Sequence, residues 1–304
     1  MQRVTTIPRL RTAVAEERGA GHRVVLVPTM GALHAGHFAL VEEAHRHGDT
    51  VVVSVFVNPA QFDRPDDLQR YPRDLDGDQA ALAALGDAAP GILFAPEVSE
   101  VYPAEARTTV HVSGLTEGLC GAARPGHFDG VATVVAKLLN MVQPDAALFG
   151  RKDFQQLQVI RRLVTDLDLP VSVVAVPTVR EDDGVALSSR NRLLSPPERR
   201  RAGVLPRALA AAVRTAREAG GDPAALREAV RVTLATEPDV DVEYVEVVDP
   251  ATLKAPRDGS ASPLLVALAA HLGAVRLIDN VVVGDPDDED RLLAAIGGAA
   301  GHHQ

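Results

Sequence analysis

The first half of the chain alternates short runs of branched apolar residues with stretches whose apolar positions recur every three or four residues. Val24, Val25, Leu26 and Val27 form a strand that ends at Pro28. Residues 37–47 place Phe38, Leu40, Val41 and Ala44 on one side of a helix. Residues 51–57 are apolar almost without a break, as expected of a strand buried on both faces. A helix is predicted over 76–85, a strand over 92–94, and a long helix over 128–142 that stops before Pro144. A strand over 146–149, a helix over 154–167 and a strand over 171–176 follow. Strands alternating with helices predict an α/β fold: a Rossmann-like parallel sheet with helices on both faces.

The pattern changes after about residue 191. Ser195 is a good helix N-cap and Pro196 and Pro197 suit a first turn, so one Ala/Arg-rich helix is predicted over 196–219. Gly220, Gly221, Asp222 and Pro223 break it, and a second helix runs to about 236. Residues 240–248 alternate as a strand, and residues 264–270 and 275–283 read as a strand pair turning at 271–273. Helices followed by strands predict a smaller C-terminal α+β domain. The expected organisation is a first domain over 1–186, a second over 187–284, and a disordered tail over 285–304. That tail opens on the acidic run Asp285, Asp287, Asp288, Glu289 and Asp290.

The 304 residues are 46% apolar and 24% charged, which suits a globular protein with a substantial core. The net charge of −10 argues against a nucleic-acid or membrane-surface binder. No apolar run reaches the roughly 18 residues of a membrane-spanning helix. Residues 1–10 lack the apolar core of a secretory signal. A cytoplasmic enzyme is the expectation. Cys120 is the single cysteine, which excludes an internal disulfide. Only Lys137, Lys152 and Lys254 are lysines among 31 basic residues, which draws attention to each of them.

Three segments could carry chemistry, and each follows a predicted strand. The first runs from Pro28 through His34 to His37. In a parallel sheet, ligands bind at the carboxyl ends of strands, near helix N-termini that favour anions. Gly31 and Gly36 let the backbone come close to phosphates, and His34 and His37 sit three apart at a helix start. A turn glycine with two surface histidines, or a pair of metal ligands, would have the same spacing. The second segment is Gly150, Arg151, Lys152 and Asp153, followed by Gln155 and Gln156. Lys152 would place a positive charge over a phosphate, but alone the segment reads better as an ordinary turn with a helix cap and a solvated Arg-Lys pair. The third is Leu187, Ser188, Ser189, Arg190 and Asn191, where two hydroxyls and an arginine in a loop at the domain boundary can close over a triphosphate; a linker rich in cap formers would read the same. The predicted sheet gathers all three at one edge.

Taken together and in order, these segments resemble the pantothenate synthetases (pantoate–β-alanine ligases), members of the HxGH nucleotidyltransferase superfamily. The resemblance rests on Pro28-Thr29-Met30-Gly31-Ala32-Leu33-His34 with Gly36-His37 and on Val57-Asn58-Pro59-Ala60-Gln61-Phe62. Tyr71-Pro72-Arg73, Phe149-Gly150 with Lys152-Asp153, Pro177-Thr178-Val179-Arg180-Glu181 and Ser188-Ser189-Arg190-Asn191 extend it. Asp249 and Leu277-Ile278-Asp279-Asn280 carry it into the second domain.

The resemblance implies ATP-dependent joining of (R)-pantoate to β-alanine through a pantoyl adenylate, releasing AMP and pyrophosphate. It implies that Met30, Gly31, Ala32, Leu33, His34, Ala35, Gly36 and His37 hold ATP, with His34 and His37 on the phosphates and His37 as catalytic donor. Gly150, Arg151, Lys152 and Asp153 would complete the nucleotide site, with Lys152 over the phosphates. Val179 would touch adenine, and Leu187, Ser188, Ser189 and Arg190 would clamp the phosphates from the smaller lid domain. Gln61 and Gln156 would hydrogen-bond pantoate, with Asn58 supporting them and Gln61 also near β-alanine. Pro28, Met30, Phe62 and the helix face over 131–135 would pack the dimethyl group. ATP with Mg²⁺ and a homodimer are implied, and nucleic acid and membrane are not.

Four positions depart from the family pattern. Arg151 stands where Glu is usual and reverses a charge beside Lys152. Leu187 replaces a usual Met with nearly equal volume. Ala60 replaces a usual Met and would enlarge the acid pocket. Gly77 interrupts an acidic run, leaving Asp76 and Asp78 as candidates for positioning Mg²⁺. Other readings are a ligase for a different acid or amine, an adenylyl transferase acting on a phosphate, and a non-enzymatic binder. The paired Gln61 and Gln156 speak against the second. The complete set of His34, His37, Lys152, Ser188, Ser189 and Arg190 speaks against the third.

Overall fold

The computed structural model of the chain describes residues 1–256 and 263–299. These residues divide into two compact units. The first comprises Met1–Thr116, Gly121–Arg151 and Gln156–Val176. The second takes Glu117–Cys120, Lys152–Gln155 and the chain from Pro177 onward. The division thus falls ten residues before the expected 187, and two short segments of the first half belong to the second unit.

The elements of the first half run in the order β1 (Gln2–Val4), α1 (Ile7–Gly19), β2 (Val24–Thr29), α2 (Ala35–Ala44), β3 (Thr50–Val55), α3 (Pro65–Arg70), α4 (Leu75–Ala83), β4 (Ile92–Phe94), α5 (Val98–Val101), α6 (Cys120–Ala123), α7 (His127–Val142), β5 (Ala146–Gly150), α8 (Phe154–Asp166) and β6 (Ser172–Val176). The six strands form one sheet in the order β1-β4-β3-β2-β5-β6, and every pair is parallel. Val24 to Val27 are wholly buried, because parallel sheets are covered on both faces. Val25 and Val27 pack with Leu40, Val41 and Ala44 of α2 and Leu82 of α4. On the opposite face, α1 and α7 lie against β2. The Rossmann-like sheet with helices on both faces is therefore present.

The hydrophobic pattern assigns no element to the first twenty residues. β1 has three residues and exists by pairing with β4, Gln2 opposite Ile92 and Val4 opposite Phe94. No local periodicity announces a strand that short.

In the second unit, α9 (Pro196–Ala202), α10 (Val204–Ala219) and α11 (Pro223–Leu234) precede β7 (Val240–Val248), β8 (Leu264–Leu272) and β9 (Val275–Val283). The three strands form an antiparallel sheet in chain order. Leu264, Val266, Leu268, Ala270 and Leu272 share a core with Leu205, Leu209 and Val213 of α10 and Leu226 and Val230 of α11. This is the expected smaller α+β part.

Two expectations need correction here. The single helix over 196–219 is two helices meeting at Gly203. Pro206, in the first turn of α10, cannot donate to residue 202 and its ring collides with that carbonyl, so the helix has to restart. The expected disordered tail over 285–304 is instead helical from Pro286 to Ala299, which forms α12. Its acidic run is at work: Asp288 accepts the N–H of Val282 at 2.8 Å, and Glu289 accepts that of Gly284 at 2.7 Å. Acidic side chains also suit a helix N-terminus. Leu292 is buried, with Leu293 and Ile296 against the same core. Residues 300–304 of the expected tail lie outside the described residues.

Candidate active site

The order of the sheet determines where a ligand can approach. From β2 the chain moves to β3 on one side, while β5 and β6 add on the other. The change of direction falls between β2 and β5, and ligands of open α/β sheets bind outside the strand carboxyl ends at such a point. The connections leaving β2, β5 and β6 are the three segments singled out from sequence. The strands are neighbours and parallel, so these connections leave from the same sheet edge.

The turn after β2 is tightly built. Gly31 has φ +80° and Ala32 φ 52°, so two successive residues lie in the left-handed region. A Cβ on Gly31 would stand 2.8 Å from a carboxylate oxygen of Asp78. That carboxylate, buried on α4, accepts the backbone N–H of Ala32 at 3.0 Å and of Leu33 at 2.8 Å. Sequence reading missed this function of Asp78, since nothing local marks a contact across 45 residues. The same geometry answers the metal expectation. Asp78 is committed to two N–H groups, and Asp76 is exposed and paired with Arg3 at 2.9 Å. These carboxylates do not fit a Mg²⁺ site. Among the described residues no group of three or more His, Cys, Asp or Glu could hold a metal.

His34 caps α2. The Nδ1 of His34 accepts the N–H of Gly36 at 3.2 Å, and the Nδ1 of His37 accepts the N–H of His34 at 3.3 Å. The two rings lie 4.1 Å apart, centre to centre. A backbone N–H can only donate, so both Nδ1 atoms are acceptors and the proton of each neutral ring sits on Nε2. The pair therefore presents two Nε2–H donors at a helix N-terminus, where an anion is favoured.

The turn after β3 carries Gln61. Asn58 accepts the N–H of Ala60 at 3.3 Å and caps a 3-10 turn over Pro59–Gln61. The Gln61 carbonyl accepts from Arg124 at 3.2 Å and His127 at 2.7 Å, and Arg124 also binds Asp63 at 3.0 Å. Arg124 holds the Asp63 carboxyl below its usual range, although burial works to raise it. The Gln61 side-chain nitrogen lies 2.9 Å from the Met30 sulfur, so the acid-binding candidate meets the turn after β2. The Ala60 backbone packs against Gly130 of α7. Gln156 is half-buried at the start of α8.

In the second unit, Lys152 is largely buried, with its nitrogen 3.8 Å from Asp153. Its carbonyl accepts from Asn280 of β9 at 2.8 Å. Gln155 is structural: it accepts the N–H of Cys120 at 3.0 Å and donates to the Gly118 carbonyl at 2.8 Å. Residues 179–187 form a tight hairpin closed by Leu187 N–H on the Val179 carbonyl at 2.9 Å, which brings Val179 beside the Ser188–Arg190 segment. Ser188 accepts the Arg190 N–H at 3.3 Å and starts a short 3-10 helix. Arg180 makes a two-point ion pair with Asp279 at 2.7 and 3.0 Å, and both side chains are buried. Against the pull of burial, Asp279 keeps the Arg180 guanidinium charged. The family-like residues of β9 thus anchor both the Lys152 and the Arg180 segments.

Comparison with known proteins decides the family. The family described as Pantoate-beta-alanine ligase matches residues 2–282. The chain belongs to the pantoate–β-alanine ligase family. The pantothenate synthetase of Sinorhizobium medicae is 52% identical over 283 residues, covering 93% of this chain and 96% of that one. That of Rhizobium rhizogenes is 51% identical, covering 93% and 97%. The crystal structure of the Thermus thermophilus pantothenate synthetase superposes with a TM-score of 0.86 at 49% identity, covering 93% of this chain and 99% of that one. A Francisella tularensis pantoate–β-alanine ligase, solved with β,γ-ATP and β-alanine, gives a TM-score of 0.73 at 30% identity, covering 93% and 98%. No helix among the described residues of this ligase is long and apolar enough to cross a membrane.

Proposed function

We infer that this chain condenses (R)-pantoate with β-alanine at the expense of ATP. The observation that carries the reading is the turn after β2, where His34 and His37 both offer Nε2–H at a helix N-terminus in a chain of this family. The chemistry asks for that arrangement. A carboxylate is a poor electrophile, so a pantoate carboxylate oxygen first attacks the α-phosphorus of ATP and pyrophosphate leaves. The β-alanine amine then attacks the acyl carbon, an amide forms, and AMP departs.

In the first step negative charge builds on the leaving pyrophosphate. Donors placed beforehand stabilise that charge without reorganising. His34 and His37 fill this role, with His37 as the principal donor, while Met30, Gly31, Ala32, Leu33, Ala35 and Gly36 shape the backbone around ATP. Lys152 adds a positive charge over the phosphates, with Gly150, Arg151 and Asp153 beside it. Val179 contacts adenine, and Leu187, Ser188, Ser189 and Arg190 clamp the phosphates. Gln61 and Gln156 hold pantoate: an amide donates to a carboxylate and accepts from a hydroxyl. Mg²⁺ enters as the companion of ATP, since it leans on phosphates and keeps its waters. A homodimer and a cytoplasmic location belong to the same reading on the family resemblance.

The test is AMP release with ATP, Mg²⁺ and (R)-pantoate, with and without β-alanine. Turnover that needs both organic substrates supports the ligase. Pyrophosphate–ATP exchange with pantoate alone supports the adenylate. Turnover with another acid but not with pantoate would overturn the substrate assignment.

A further inference from the structure

The polar side chains around Gln61 form a chain whose donor and acceptor roles are set by backbone groups. Asn58 is 1% exposed. Its Oδ1 accepts the N–H of Ala60 at 3.3 Å, and its Nδ2 donates to the Gly130 carbonyl at 3.1 Å. An N–H cannot accept and a carbonyl cannot donate, so these contacts fix which end of the amide is which. The second Nδ2 proton goes to Gln61 Oε1 at 3.0 Å, and the second Oδ1 lone pair takes the Tyr102 hydroxyl at 2.9 Å. All four hydrogen-bonding positions of Asn58 are thereby filled. It has nothing left to offer a substrate, and what it governs is the amide of Gln61.

Gln61 Oε1 is committed to accepting from Asn58, so Nε2 is the end turned away from Asn58, toward Met30. Turning the Gln61 amide over would set its NH₂ against the NH₂ of Asn58. Tyr102 completes the arrangement. It follows α5, its ring lies 6.1 Å from that of Phe56, and Lys137 stands 5.7 Å over its centre. Burial pushes its phenol up to about 12, so the hydroxyl keeps its proton at neutral pH.

We propose that Tyr102 and Asn58 are positioning residues for the acid substrate: the Tyr102 hydroxyl, through Asn58, holds Gln61 with its NH₂ toward the substrate, so that the site selects an acceptor oxygen there. The proposal rests on the reading that Gln61 contacts pantoate. It gives Asn58 a role through Gln61 rather than on the substrate itself, and it adds a tyrosine that no strand-end motif contains.

The experiment compares Tyr102→Phe, Gln61→Ala and the double variant in the full chain, with KM for pantoate and for ATP measured separately and the unfolding temperature recorded. Phe keeps the ring contacts and removes one hydrogen bond, which corresponds to about a 5-fold effect. Tyr102→Phe is expected to raise KM for pantoate by about that factor, leave KM for ATP unchanged and leave the unfolding temperature within a few degrees. Gln61→Ala is expected to raise KM for pantoate further, and adding Tyr102→Phe to it to change nothing more. If Gln61→Ala raises KM for pantoate but Tyr102→Phe does not, the proposal fails while the reading of Gln61 stands. If the two effects multiply in the double variant, Tyr102 does not act through Gln61 and the proposal also fails. An unchanged KM in Gln61→Ala overturns both.

Discussion

The backbone N–H of His34 donates to Nδ1 of His37 at 3.3 Å, so the ring proposed as the phosphate donor also closes the first turn of its own helix. The two functions can be separated. His37→Asn keeps a side-chain acceptor near the helix start but has no Nε2–H to give a phosphate. We expect His37→Ala and His37→Asn both to lower pyrophosphate–ATP exchange by about two orders of magnitude or more, the range for lost transition-state donors. Only His37→Ala should also lose the roughly 1 kcal/mol of a helix cap. Denaturant unfolding beside the exchange assay separates the two effects, and an unchanged exchange rate in either variant would remove His37 from the chemistry.

Asp78 holds the preceding turn from beneath. Its buried carboxylate is the acceptor for the N–H groups of both Ala32 and Leu33. Asp78→Ala leaves two buried donors without an acceptor, at roughly 1–3 kcal/mol each. The expected result is a clear loss of unfolding free energy together with a raised KM for ATP. Asp78→Asn should recover only part of it, because its NH₂ end meets one of the two N–H groups. Equal KM for ATP in wild type and both variants would show that the turn keeps its shape without this support.

Gly130 makes a sharper test of the acid side. A Cβ there would fall inside the Ala60 backbone and 2.7 Å from the Gln61 nitrogen, so the turn carrying Gln61 must shift. Gly130→Ala on α7 would be favourable by helix propensity alone. We expect it instead to destabilise by about 1–3 kcal/mol, as overpacking does, and to raise KM for pantoate well above any change in KM for ATP. A neutral or stabilised Gly130→Ala would mean that the turn has room to yield.

What is legible in the sequence follows from how each element is stabilised. Strands β2 and β3 read clearly because a strand buried on both faces writes an apolar run, and β7 to β9 read clearly by their length. The turn at His34 and His37 is legible because its residues are adjacent in the chain. The features that escape depend on distant partners: β1 on β4, the left-handed turn at Ala32 on Asp78, and Gln61 on Tyr102 through Asn58. Helix α12 escapes for another reason. An acidic run resembles a solvated tail by composition, and only the N–H groups of Val282 and Gly284 reveal that two of its carboxylates are in use.

The hairpin ahead of Ser188 supplies a pH-dependent prediction. Arg199 binds Asp183 at 2.6 and 3.0 Å and Glu181 at 2.6 Å. Burial works to raise the Asp183 carboxyl, but the hydrogen bonds and charge of Arg199 prevail and hold it below the usual carboxylate range. A carboxyl depressed in the folded state binds its proton later than in the unfolded chain as pH falls. Its stabilisation is therefore complete above the unfolded value and is lost as pH falls through the folded one. Arg199→Ala removes the cause, so this contribution should already be missing at about pH 6, above the ordinary aspartate range. Other depressed carboxyls, among them Asp63 and Glu243, titrate in the same window, so the informative quantity is a difference. We expect the gap in unfolding free energy between wild type and Arg199→Ala to be wide at about pH 6 and to narrow at about pH 3. A gap that stays constant would mean that Arg199 stabilises the hairpin by packing its side chain rather than by its charge.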